Sequence, residues 1–144
     1  MNSETAQSLS IVVPVYNEED NVHPLVDRIH HALQDYVHPW ELIIVDDGSA
    51  DATWQRLVAA REQFGDHVRV FELNRNFGQT AAMQAGLDHV RGDLVITMDG
   101  DQQNDPQAIP MLLEELLTRE QDMAVSYTHL TLPTNGCVYI WVVG

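Results

Sequence analysis

Four short apolar runs, each ending in polar or acidic residues, limit what this chain can fold into more than any other feature. They are LSIVVPVY (9–16), WELIIVDD (40–47), HVRVFELN (67–74) and GDLVITMD (92–99). Their length and β-branched content read as buried strands. Between them the apolar period changes to that of a helix. Residues 19–33 carry Val22, Leu25, Val26, Ile29 and Leu33 on one stripe, with Pro24 in the first turns, where proline is tolerated. Residues 48–64 turn Trp54, Leu57, Val58 and Phe64 inward. Residues 78–90 offer a face of Ala81, Ala82, Ala85 and Gly86, small enough for close packing on a sheet. Residues 105–120 begin with Asp105 as N-cap and Pro106 at the first helical position, then run Ile109, Leu112, Leu113, Leu116 and Leu117 along one stripe. Strand and helix alternating four times over predict an α/β domain with a mostly parallel sheet.

Ligands of such sheets bind outside the carboxyl ends of the strands. Those ends carry Tyr16-Asn17-Glu18, Asp46-Asp47, Asn74-Arg75-Asn76 and Asp99-Gly100-Asp101, and all four clusters are expected on one rim. Asp99 and Asp101 are separated by one glycine at the end of a wholly apolar strand. Gly100 lets the backbone turn, so both carboxylates can reach one hard cation, with Gln103 adding a neutral oxygen. Mg²⁺ or Mn²⁺ takes that number of carboxylates and fills the remaining positions with water and phosphate oxygens. The bland alternative is an acidic turn before the next helix. Asp46-Asp47-Gly48-Ser49 can accept hydrogen bonds from a base or a ribose hydroxyl, or can be a helix start capped by Ser49 or Asp51. Asn17-Glu18 is the weaker signal, since helix N-termini favour acids anyway. Arg75 suits a phosphate or an ion pair with a rim acid equally well. The histidines show no metal-ligand spacing: His30 and His31 are expected to be solvated on different helix faces, and His89 to be a helix-end cation. Neither a Gly-x-Gly-x-x-Gly turn after the first strand nor a Gly-Lys-Ser/Thr loop is present.

Charge narrows the partners. The 144 residues carry a formal net charge of −15, with seven arginines and no lysine. A nucleic-acid partner needs a basic face, so none is expected. A nucleotide remains compatible, because a metal ion can bridge carboxylates to phosphates. The single Cys137 allows neither an internal disulfide nor a cysteine-rich zinc site. No run of 18 apolar residues is long enough to span a membrane, and MNSETAQSLS lacks the basic and apolar regions of a secretory signal, so the cytosol is the expected compartment.

The last twenty residues, 125–144, differ from the rest: all 29 charged residues lie before them. They could form an apolar edge strand plus linker. VSYTHLTLPT, however, looks like the translation of a transposase-library sequencing adapter. Residues 125–144 are therefore expected to be a non-native tail, following an incomplete domain over 1–124.

SIVVPVYNEEDN, ELIIVDDGSADATW and RNFGQTAAMQAGLDHVRGDLVITMDGDQQNDPQAIP, in this order and spacing, resemble the N-terminal half of a family 2 glycosyltransferase. The resemblance covers about residues 8 to 124. It is most specific to the dolichol-phosphate and undecaprenyl-phosphate sugar transferase group. Gly100 stands where the family usually has alanine, and Gln102 where it usually has leucine. The resemblance implies the GT-A fold, a Rossmann-like three-layer sandwich truncated here after the fourth strand-helix unit. It implies that Pro14, Tyr16 and Glu18 line a nucleoside pocket and that Asp47, with Asp46 beside it, holds the base or ribose. It implies that Asp99, Asp101 and Gln103 hold Mg²⁺ or Mn²⁺ on the diphosphate of a UDP or GDP sugar. Arg75 matches a motif position without a firm role. The activity implied is inverting transfer of the sugar to a polyprenyl phosphate, at the cytoplasmic face of the membrane in the full-length parent, with this fragment binding donor only. A hydroxyl acceptor is the alternative. Two rivals use similar residues: a haloacid-dehalogenase-like phosphatase, whose acidic pair would end the first strand rather than the fourth, and a non-catalytic nucleotide-binding module.

Overall fold

The computed structural model describes residues 8–98, 127–131 and 137–142. Strands β1 (Leu9–Val15), β2 (Trp40–Asp46), β3 (Val68–Glu72) and β4 (Leu94–Thr97) alternate with helices α1 (Val22–Ala32), α2 (Thr53–Phe64) and α3 (Gln79–Leu87). The alternation expected from sequence is present, with each helix shorter than its apolar period suggested. Strands β5 (Tyr127–Thr131) and β6 (Cys137–Val142) complete a sheet of order β3-β2-β1-β4-β6-β5. The β1–β2, β2–β3 and β1–β4 pairs are parallel, whereas β6 runs antiparallel to β4 and β5 antiparallel to β6. The stretch read from sequence as a foreign tail thus adds a hairpin to the β4 edge. Main-chain pairing to an open edge needs no particular side chain, so the pairing is blind to that stretch's origin. The expected helix over 105–120 lies outside the described residues.

Two cores sandwich the sheet. On one face Ile11, Val13, Leu42 and Ile44 meet Val22, Leu25, Val26, Ile29 and Leu33 of the first helical segment and Leu57 and Ala60 of α2. On the other Val12, Ile43, Val45 and Val95 meet Ala82 of α3. Alternate residues of one strand serve opposite faces, which is why both sides of these strands are apolar. The small face of α3 does what its composition predicts at Ala82 and Gly86, which are buried, while Ala81 is exposed, contrary to expectation. A Cβ at Gly86 would lie 2.4 Å from Val12 Cγ1, so only glycine lets α3 lie this close to the sheet. Trp54, Val58 and Phe64 are half-buried, and the fully buried face of α2 is instead Thr53, Leu57 and Ala60.

The amino ends of the strands are joined by a polar clamp. Glu41 accepts hydrogen bonds from Ser10 Oγ at 2.6 Å, Arg69 Nη1 at 2.8 Å and the Arg91 amide at 2.8 Å. Burial pushes the Glu41 carboxyl up, but the bonds from Ser10, Arg69 and Arg91 outweigh it and hold it below its ordinary value. A carboxylate lowered in the folded state stabilises fully above its unfolded pKa and loses that contribution as pH falls through the folded value. Glu41→Gln is therefore expected to cost roughly 2 kcal/mol at neutral pH, with the difference from wild type closing below about pH 4. Urea titrations across that range check it, and a gap that stays constant with pH would contradict the charge's role.

The expectation that His30 and His31 are both solvated holds for His31 only. His30 is half-buried against Phe64, Trp40 and His67, with ring centroids 4.4, 4.9 and 4.8 Å away. His89, just past α3, has Nδ1 2.8 Å from the Ala85 carbonyl oxygen, a local bond at the helix end.

Candidate functional site

Strand order places the site before any side chain is considered. The chain moves outward from β1 through β2 to β3, then returns to the other side of β1 for β4. The β1–β4 boundary is the switch point of the sheet, where the following connections leave on opposite faces and open a crevice at the carboxyl ends. β1 ends there in Val15-Tyr16-Asn17-Glu18. The amide of Met98 beyond β4 donates to Val12 O at 3.1 Å. Asp99, Asp101 and Gln103 lie outside the described residues.

The loops on this rim are tied to each other. Asn17, in the left-handed region at φ 53°, donates its amide to Ser49 Oγ at 2.8 Å and accepts from the Ala50 amide at 2.9 Å. The Glu18 amide donates to Thr53 Oγ1 at 2.8 Å. Glu19 Oε1 accepts from the Ala52 amide at 2.8 Å, and Asp51 Oδ1 from the Thr53 amide at 2.9 Å. Between them these two carboxylates cap the start of α2. Of the two caps expected from sequence, Asp51 fills that role, while Ser49 bonds to Asp46 instead. Glu19 is a cap that sequence reasoning missed, because it comes from a loop more than thirty residues away.

Asp46 and Asp47 are both buried, 0% and 3% exposed, and they serve opposite faces of the sheet. Asp46 Oδ1 accepts from the Ser49 amide at 3.0 Å and from the Ser49 hydroxyl. Its Oδ2 is buried, and no group among the described residues donates to it. Asp47 reaches across to the segment before α3, accepting from Asn76 Nδ2 at 3.0 Å, the Phe77 amide at 2.9 Å and the Gly78 amide at 3.0 Å. α3 has no side-chain cap, and Asp47 binds the two amides just before it, which sets a negative charge at the positive end of the helix. The missing Ser, Thr, Asp or Asn at position 78 was the one sequence signal that a cap must come from elsewhere.

Of the remaining expected pocket residues, Pro14 is buried in β1, Tyr16 is 46% exposed and Glu18 is half-buried. The β1–β4 pairing ends at Val12, so Pro14 lies beyond it and its missing amide hydrogen breaks no bond within that ladder. Phe77, 49% exposed, is the second aromatic ring on the rim. The Arg75 guanidinium lies over it at 4.6 Å, and no carboxylate among the described residues pairs with Arg75. No group of three or more His, Cys, Asp or Glu converges among the described residues.

The model of the family described as glycosyl transferase family 2 matches residues 10–130. The chain belongs to glycosyl transferase family 2. The dodecaprenyl-phosphate galacturonate synthase of Rhizobium johnstonii is 57% identical to this family 2 domain over 122 residues, 83% of this chain and 35% of that protein. The undecaprenyl-phosphate 4-deoxy-4-formamido-L-arabinose transferase of Photorhabdus laumondii is 43% identical over 114 residues, 79% of this chain and 35% of that protein. The chain thus spans about a third of the length of the curated relatives it matches. Two solved structures share the GT-A fold. A mannosyltransferase from Pyrobaculum calidifontis, in complex with GDP-Man and Mn²⁺, superposes with a TM-score of 0.75 at 20% identity, covering 96% of this chain and 45% of its own. The glucosyl-3-phosphoglycerate synthase of Mycobacterium tuberculosis, in complex with Mn²⁺, UDP and glucosyl-3-phosphoglycerate, gives 0.61 at 30% identity, covering 78% and 40%. No helix among the described residues of the family 2 domain is long and apolar enough to cross a membrane.

Proposed function

We propose that this domain binds a nucleoside diphosphate sugar with a divalent cation and is the donor-binding part of an inverting transferase acting on polyprenyl phosphate. The observation that carries the reading is the meeting, at the β1–β4 switch point, of a rim of carboxylates with the strand that leads into Asp99-Gly100-Asp101. A hard cation fits these residues. Asp99, Asp101 and Gln103 are oxygen donors, and they follow within five residues of Met98, whose amide is fixed to β1. A bound Mg²⁺ or Mn²⁺ would neutralise charge on the leaving diphosphate.

The other rim residues bind and orient. Tyr16 offers a ring to the base, with Pro14 and Glu18 beside it on β1 and its loop. Asp46, whose Oδ2 has no donor among the described residues, takes a base or ribose hydrogen bond. Asp47 shapes the same pocket by fixing residues 76–78. A phosphate acceptor is already ionised at neutral pH and needs no general base, whereas a hydroxyl acceptor would. The two curated relatives are named for polyprenyl-phosphate substrates, which supports the first. Such an acceptor is anchored in a bilayer, which supports a whole enzyme that works at a membrane, on our reading at its cytoplasmic face. UDP and GDP donors both suit these carboxylates.

Asp101→Ala is expected to weaken Mn²⁺-dependent UDP or GDP binding at least tenfold, roughly the loss seen when even an outer partner of a metal is removed. Calorimetry with and without Mn²⁺ decides it: equal metal-dependent affinity in variant and wild type refutes the metal role.

A further inference from the structure

At the end of the sheet opposite the donor rim, two histidines from different elements meet nitrogen to nitrogen. His30 Nε2 on α1 and His67 Nε2 in the turn before β3 are 2.6 Å apart. The other nitrogen of His30, Nδ1, is 2.8 Å from the Val26 carbonyl oxygen. A carbonyl only accepts, so His30 carries its hydrogen on Nδ1 and presents a lone pair at Nε2. The hydrogen between the rings therefore comes from His67.

We propose that His30 and His67 form a proton-operated latch that fastens the C-terminal half of α1 to the α2–β3 turn. One positive charge leaves the N–H···N bond intact. A second puts hydrogens on both facing nitrogens and two like charges at contact distance, and the bond cannot survive.

The surroundings favour a sharp response. Trp40 meets His30 and His67 edge-on at 4.9 and 4.8 Å, and Phe64 stacks on His30 at 4.4 Å. These rings shield one side of the half-buried pair from water, which weakens the screening of a second charge there. The other charged and titratable groups on the neighbouring elements are His23, Asp27, Arg28 and His31 on α1, Arg56, Arg61 and Glu62 on α2, Asp66 in the turn, and Glu41 and Asp46 on β2. Glu41 is committed to Ser10, Arg69 and Arg91. Burial and then the nearness of His30 push the His67 imidazole below its ordinary value, with Asp66 acting the other way. A histidine lowered in the folded state stabilises fully above its unfolded pKa of about 6.5, and that contribution is lost as pH falls through the folded value. The backbone sets which side moves. The His67 carbonyl accepts from the Leu42 amide at 2.8 Å, so the turn stays on the sheet and the end of α1 is released.

The test follows the imidazole signals by NMR from about pH 8 to pH 4.5, with urea midpoints over the same range. The latch predicts two titration steps separated by at least about one pH unit, with stability falling across the lower one. His67→Gln can place an N–H donor at the reach of the imidazole Nε2 but cannot titrate, and it should remove at least half of the acid loss, about a twofold reduction in slope. A single shared step near the ordinary histidine pKa, or an unaltered acid loss in His67→Gln, overturns the proposal. Should that variant fail to fold, the titration of the unsubstituted chain decides alone.

Discussion

Gly48→Ala will dislodge the segment between β3 and α3 and cost the domain about 2–5 kcal/mol. The glycine has φ +70°, where a side chain costs about 1–2 kcal/mol by itself. The larger part is steric. A Cβ there would stand 2.2 Å from the Arg75 carbonyl carbon and 2.4 Å from the Asn76 nitrogen. Both are backbone atoms, with no rotamer to escape into, so residues 75–76 must move away from the β2–α2 turn. That movement pulls Asn76, Phe77 and Gly78 from Asp47. Urea denaturation gives the stability loss, and nucleotide affinity should fall with it, since the Arg75–Phe77 pair belongs to the same segment. A midpoint within experimental error of wild type would show that this segment tolerates a second position.

Asp47→Ala is expected to cost roughly 2–3 kcal/mol. It strands the backbone amides of Phe77 and Gly78, while the Asn76 side-chain amide keeps only its bond to the residue-47 carbonyl oxygen at 3.1 Å. A donor left unpaired away from water costs about 1–3 kcal/mol, and water reaching the exposed Phe77 lowers that figure here. The start of α3 also loses the negative charge beside its exposed amides. Asp47→Asn retains one acceptor oxygen and should fall between Ala and wild type. Thermal or urea unfolding of the three proteins orders them, and an Asn variant no better than Ala would mean that the charge, and not the acceptors, holds the loop. Backbone amide exchange at Phe77 and Gly78 localises the effect: protection should drop there first.

Alternation of strand and helix, the apolar stripe of α1, the parallel core of the sheet and the common rim of the β1 and β2 carboxyl ends were legible from the residues alone. These are periodic properties. A strand buried on both faces must be apolar throughout, a helix on a sheet must show one apolar stripe, and parallel strands must end on one side. The motifs at the strand ends were legible for the same reason, since chain direction alone carries them to the rim. The tertiary structure decided what periodicity cannot carry. Asp46 and Asp47 are neighbours in sequence, yet pleating sends one to the β2–α2 turn and the other to the start of α3. The cap of α2 by Glu19, the clamp of Ser10, Arg69 and Arg91 on Glu41, and the meeting of His30 with His67 each join residues far apart in the chain. Such contacts leave no period in the sequence, because they are set by which loops the packed sheet brings together.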